Sequence, residues 1–288
     1  MRCLRLFTLV IAGLPALAAP PSALAIESTA SVPIRTADAS GAIVEAELPL
    51  TIFRPEGQEP FPAVVLSHGR PGATQRASMG RVKLSSIATT FLGEGFVVIV
   101  PTRIGYGIAS GNDVEATISC EEPRYLSTFA AAADQIAAAV SFARTLPYVD
   151  PGRILLVGHS MGGAATVAAG VRNLPGVRAA ISFNGGQGAR PNSHPGEPCR
   201  PDILLKTFAS LGAAKGSVPQ LWIHTENDHQ FSVVHARSWF SAFREAGGLG
   251  EFKVFPPYRD DGHWWFANEP GAWMSSVREF SVVNGLLR

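Results

Sequence analysis

The stretch Ile154-Leu155-Leu156-Val157-Gly158-His159-Ser160-Met161-Gly162-Gly163 leaves this chain little freedom in its choice of fold. A continuous apolar run of this length reads as a strand buried on both faces, the kind found in parallel sheets covered by helices. Residues 161–172 follow at once with a helical composition, so the chain passes from strand to helix through a single G-x-S-x-G turn. Glycines on either side of the serine let strand and helix approach closely. The serine hydroxyl is then presented on a strained bend, clear of the backbone. A glycine-rich turn that merely links strand to helix is the plainer alternative.

The rest of the sequence repeats the pattern. Short apolar runs at 63–66, 96–100, 177–183, 220–224 and 251–255 read as further strands, and 31–36 with 44–54 as an antiparallel hairpin at the sheet edge. Helical spacing covers 76–93, 125–145, 232–246 and 271–286. Strands alternating with helices make one α/β domain with a mostly parallel sheet and helices on both faces, spanning 26–288. In such sheets ligands bind beyond the carboxyl ends of the strands, so the loops after the strands are the ones to search.

The first 25 residues belong to something else. Arg2 and Arg5 precede the apolar stretch Leu6–Ala19, and Ala23-Leu24-Ala25 has the small-x-small pattern of a cleavage site. This reads as a secretory signal peptide and places the mature chain outside the cell or in the periplasm. The apolar stretch is too short for a membrane anchor. Without Arg2 and Arg5 the formal charge goes from +1 to −1, so there is no basic bias towards nucleic acid and no charge block for a membrane surface. Cys3 leaves with the leader. The remaining Cys120 and Cys199 have one possible pairing in an oxidising compartment, a disulfide. Neither has a second cysteine or a histidine at ligand spacing, so no metal is expected.

A serine hydroxyl is a weak nucleophile until a base takes its proton. Seven histidines are available, and only His263, in Asp261-Gly262-His263-Trp264, follows the last strand. With the chain order serine, acid, histidine, His263 is the expected base. The acid should follow the strand 220–224, where Thr225-Glu226-Asn227-Asp228-His229 offers Asp228, with Glu226 in reserve. Asp260 and Asp261 read as turn residues. Two backbone N–H groups must hold a tetrahedral oxyanion. Met161, after the serine, is one. Arg70, in His68-Gly69-Arg70-Pro71-Gly72 after the first buried strand, is the other. No cofactor is required.

The order His68-Gly69, Gly158-His159-Ser160-Met161-Gly162-Gly163, Glu226-Asn227-Asp228 and Gly262-His263 resembles the dienelactone-hydrolase and prolyl-oligopeptidase-like branch of the α/β-hydrolase superfamily. Arg103-Ile104-Gly105-Tyr106-Gly107 resembles that branch's R-G-x-G turn. The likeness runs from about residue 45 to the end. It implies a serine hydrolase. Two departures bear on substrate: dienelactone hydrolases proper use cysteine where Ser160 stands, and there is no propeller domain like that of the large oligopeptidases. A small, open esterase acting on short-chain or small-molecule esters is the nearest implied relative. Extracellular polyester hydrolases share the G-H-S-M-G-G elbow. A peptidase, with Glu121, Glu122 or Glu197 receiving a peptide amino terminus, and a catalytically silent binding protein are the competing readings. Oligomeric state is not legible.

Two loops are long, 102–124 and 184–217, and each contains one mature cysteine. A Cys120–Cys199 bond would staple them into a partial cap beside Ser160. Tyr106, Trp264 and Trp265 are candidate apolar walls.

Overall fold

Residues Ile154 and Leu156 enter one apolar core, and Leu155 and Val157 the other. The computed structural model describes residues 26–57 and 60–288, and the expected leader, 1–25, lies outside the described residues. The chain runs β1 (Ile26–Ala37), β2 (Ile43–Arg54), β3 (Phe61–Ser67), α1 (Ala73–Ser78), α2 (Ser85–Gly93), β4 (Val97–Pro101), α3 (Tyr125–Ala143), β5 (Val149–His159), α4 (Met161–Gly170) and β6 (Val177–Phe183). It continues through α5 (Pro201–Gly212), β7 (Gln220–Thr225), α6 (Val233–Glu245), β8 (Gly250–Phe255), α7 (Trp265–Asn268) and α8 (Pro270–Val283).

The eight strands form one sheet in the order β1-β2-β4-β3-β5-β6-β7-β8. The β1–β2 and β2–β4 pairs are antiparallel and all the others parallel. This is the α/β architecture anticipated, with a longer edge hairpin. Period-two alternation divides the side chains of the inner strands between two cores. Residues of α3, α4, α5 and α6 fill one, and residues of α2, α7 and α8 the other. All ten residues of α4 are buried, so this helix is small-residue filling between the sheet and α3.

Strand order reverses between β4 and β5, because β3 lies between them. Crossovers diverge at such a point and leave a crevice beyond the strand ends. Ser67 at the end of β3 pairs with Gly158 at the end of β5, so the loops carrying Arg70 and Ser160 leave the sheet side by side.

Two expectations are corrected. The helix anticipated over 76–93 is two helices, α1 and α2. The backbone between them ties down neighbouring strands instead: Val82 N–H donates to Thr102 Oγ1 at 2.9 Å, and Thr51 Oγ1 donates to Val82 O at 2.9 Å. Segment 184–217, expected to lack regular structure, contains α5. Leu204, Phe208 and Leu211 lie on one face of it, with Phe208 packed on Trp222 and Trp239 at ring distances of 4.9 and 5.6 Å. Pro201 opens that helix where its missing N–H costs nothing.

Candidate active site

Ser160 sits between β5 and α4 with φ 58°, ψ −124°. Few side chains tolerate a positive φ, and strained backbone of this kind concentrates at functional sites. The bend is held from both sides. Ser160 N–H donates to Phe183 O at 2.9 Å, and Ser160 O accepts from Ala164 N–H and Gly186 N–H, each at 3.1 Å. The flanking glycines are steric requirements. A Cβ on Gly158 would collide with Gly162 O and Thr166 Oγ1, and one on Gly162 with Ser67 O and His68 O. Strand, helix and the β3 loop therefore close to van der Waals distance around the serine. Gly69 lies against it, since a Cβ there would stand 3.3 Å from Ser160 Cβ.

His263 lies in a short 3-10 turn, Gly262–Trp264, after β8, and is 3% exposed. Its Nδ1 is 3.0 Å from Asp228 Oδ2 and 3.1 Å from Oδ1. Asp228, in the loop after β7, is buried. Its Oδ1 accepts from Gln230 N–H at 2.7 Å and Phe231 N–H at 3.1 Å, and its Oδ2 accepts from Asn184 Nδ2 at 2.6 Å. Burial pushes this carboxyl up, but the charge and hydrogen bond of His263, with His224 and Asn184, outweigh it and hold the group at about 2. Asp228 is thus an anion at neutral pH, and its contact fixes the imidazole's tautomer and leaves Nε2 as the ring nitrogen able to take a proton. Glu226, the reserve acid, is exposed. Asp261 has the turn role expected of it, its Oδ1 accepting from His263 N–H at 3.0 Å and His229 N–H at 2.9 Å.

His159 links the two halves of the site. Its ring packs 4.5 Å from that of His263, stacks on Phe266 at 5.1 Å, and its Nε2 lies 2.8 Å from His263 O. Burial, then the charge of His263, lowers it to about 3, so it is a neutral donor that holds the His263 backbone beside the serine's own turn.

The Arg70 side chain is neither solvated nor free to line a pocket. Its Nη1 donates to Asp113 Oδ1 at 2.9 Å and Tyr106 Oη at 3.0 Å, its Nη2 donates to Asp113 Oδ2 at 2.5 Å, and Arg76 Nη2 donates to the same oxygen at 2.9 Å. Beneath lies a fully buried pair, Arg103 with Glu115, Nε to Oε1 at 2.6 Å. Arg103 also donates through Nη1 to His68 O at 2.5 Å and Ser67 Oγ at 2.9 Å, and its N–H donates to His68 Nε2 at 3.2 Å. The loop that carries the Arg70 N–H is therefore pinned by a guanidinium from the next loop. Sequence had flagged Arg103 through the R-G-x-G likeness, but nothing in the sequence marked Glu115, Asp113 or Arg76 as its companions. Asn184 also went unread, because Asn184-Gly185-Gly186 reads as a turn.

Cys120 and Cys199 are bonded, with Cα atoms 5.0 Å apart. The bond joins loops 102–124 and 184–217 as expected. The second loop borders the site, where Gly196 N–H donates to His229 O at 2.6 Å and Phe231, 5.7 Å from the His263 ring, packs on Gly186. Of the three aromatic walls considered, Trp265 is buried against Phe255, and Tyr106 is buried with its hydroxyl on Glu115. Only Trp264, 53% exposed, is open to a ligand. Among the described residues no group of three or more His, Cys, Asp or Glu side chains is placed to hold a metal ion.

The profile of the dienelactone hydrolase family matches residues 48–278. The quorum-quenching protein AidA of Acinetobacter baumannii (strain MDR-ZJ06) is 27% identical over 117 residues, which are 41% of this chain and 33% of that protein. The chain thus aligns with one third of that relative's length. An acetyl xylan esterase from Paenibacillus sp. R4 superposes with a TM-score of 0.58 at 14% identity, covering 90% of this chain and 88% of that one. An acylaminoacyl peptidase from Pyrococcus horikoshii gives 0.57 at 16% identity, covering 89% and 41%. At such identities the superpositions establish the fold, and the family match over most of the chain supplies the chemistry: the chain belongs to the dienelactone hydrolase family and is a hydrolase of the α/β-hydrolase fold.

Proposed function

We propose that this hydrolase is exported and cleaves carboxylic esters through an acyl-enzyme on Ser160. The observation that carries the reading is the Asp228–His263 contact at 3.0 Å, held through His159 beside a serine with φ 58°. Ser160 Oγ attacks the ester carbonyl while His263 Nε2 takes its proton, and Asp228 stabilises the imidazolium. The N–H groups of Met161 and Arg70, neither engaged by another protein group among the described residues, receive the oxyanion. His263 then protonates the leaving alcohol. Water, activated by the same ring, releases the acid. The Cys120–Cys199 bond and the leader-like residues 1–25 support export.

Ester rather than peptide hydrolysis is favoured by where the acidic residues stand. Glu121 and Glu122 border an outer groove with Arg124, Arg200 and Ile203, and Glu197 lies 2.6 Å from His235 Nε2. None of these carboxylates is held ready for a peptide amino terminus. A fluorophosphonate probe should label the protein and fail to label Ser160→Ala. Correctly folded protein that takes no label would make it a binding protein. A panel of p-nitrophenyl esters beside aminoacyl-anilides then separates esterase from peptidase, with faster turnover of the anilides overturning the ester reading.

A further inference from the structure

Residues 183–186, leaving β6, touch both ends of the site. Phe183 O and Gly186 N–H hold the Ser160 peptide, as described above. Between them, Asn184 reaches across to Asp228.

Asn184 is fully buried and has φ 46°. Its Nδ2 donates to Asp228 Oδ2 at 2.6 Å and to Thr225 Oγ1 at 3.2 Å, while its Oδ1 finds no donor among the described residues. A left-handed backbone and an unsatisfied buried acceptor are both unfavourable, and glycine at this position would remove both. Retaining asparagine therefore calls for a compensating role. The donors to Asp228 indicate which. Its Oδ1 is served twice by the backbone of its own loop, through Gln230 and Phe231. Among the described residues its Oδ2 is served, apart from His263, only by Asn184. The carboxylate is thus gripped at both oxygens, and one grip is a side chain from a different loop, the one that follows β6.

We propose that Asn184 is a positioning residue for the reaction at Ser160, its amide N–H fixing the Asp228 carboxylate in the plane that serves His263. The inference rests on the Ser160–His263–Asp228 reading. Without the amide, the carboxylate is free to turn, and the imidazole it orients loses its aim.

The test is Asn184→Gly, which suits the positive φ and so preserves the fold. Turnover of a p-nitrophenyl ester should fall about 10- to 100-fold, the scale of a small misplacement in a catalytic array, with KM within about twofold and Tm unchanged or raised. Wild-type turnover in Asn184→Gly would overturn the proposal and leave Asn184 a turn residue. Ser160→Ala is assayed alongside: if it keeps activity, the underlying reading fails, whereas a dead Ser160→Ala beside a fully active Asn184→Gly sinks only this inference. Asn184→Asp supplies an isosteric second variant. Two facing carboxylates share a proton, and the protonated form regains the lost donor. Its activity relative to wild type should therefore rise as pH falls from 8 to 5, and a pH-independent ratio would overturn the proposal. His159, His224 and His263 are the other titratable groups that face this cluster, and all three are present in both proteins.

Discussion

The two long loops on the carboxyl-end face are joined by one covalent bond but held by different forces. Loop 102–124 has a single 3-10 turn, Gly107–Ala109, and is organised by charge, with Arg103 and Glu115 fully buried and Arg70 and Arg76 converging on Asp113. Loop 184–217 is organised by backbone hydrogen bonds and by the apolar face of α5. Burial of an aromatic such as Phe208 contributes about 1.5–3 kcal/mol with little demand on geometry. A buried ion pair contributes little net stability, but losing one partner strands a charge in the interior. The first loop is therefore the brittle one and the second the tolerant one.

The sharpest way to break this contrast is Arg103→Met. It leaves Glu115 buried without its cation, so a cost of about 3–5 kcal/mol is expected, seen as a large drop in Tm with loss of activity. Adding Glu115→Leu should recover part of the stability. A single variant that melts like wild type would refute the brittle-loop account.

Next comes the covalent link. Cys120 and Cys199 are 79 residues apart, and removing a bond that closes a loop of this size should cost roughly 2–4 kcal/mol. Urea titration of the Cys120→Ser, Cys199→Ser double variant measures it. The relative rates on short and long acyl esters should change as well, because the second loop borders His263. An unaltered profile would reduce the bond to a stabilising role.

Acidification acts through three buried rings together. Burial holds His159 at about 3 and His224 at about 4, and burial together with Arg103 lowers His68 well below its ordinary value. The unfolded chain takes up protons on these rings from about pH 6.5 downward, and the folded chain does not. Stability is therefore complete above pH 6.5 and declines as pH falls towards the folded values, by about 1.4 kcal/mol per ring for each pH unit. Thermal melts at pH 7.5, 6.5 and 5.5 would show the slope, and a flat Tm over that range would mean that these rings are not held neutral. His68 lies under the charge-held loop and is buried, so His68→Leu should flatten the curve. Smallest of all is Arg200→Ala in the tolerant loop. Its exposed pairing with Asp202 should be worth no measurable shift in Tm.

The same contrast explains what sequence revealed. The strands around Ser160 were legible because continuous apolar runs mean burial on both faces, and the places of Asp228 and His263 followed from which strand each loop trails. Helix α5 was readable in principle from Leu204, Phe208 and Leu211, but the proline- and glycine-rich residues before it masked its start. The break between α1 and α2 escaped because Val82 and Thr102 find each other only in three dimensions. The Arg103–Glu115 pair escaped for the same reason, since a charged residue in a loop normally signals solvent. Asn184 was hidden by its own neighbours, as an asparagine before two glycines looks like a turn and is one, with a second duty that depends on a loop residue 44 positions away.

Helix α4 has no exposed residue, and this matters to anyone who wants to retarget the molecule. A change anywhere along it would be felt at once by β5, β6 and α3, so most random variants there would be lost to misfolding before they met a substrate. Inheritance and laboratory evolution face the same sieve. A library that keeps 154–170 constant and diversifies 187–198 and the surroundings of Trp264 would direct its variation to the part of the chain where novelty can survive.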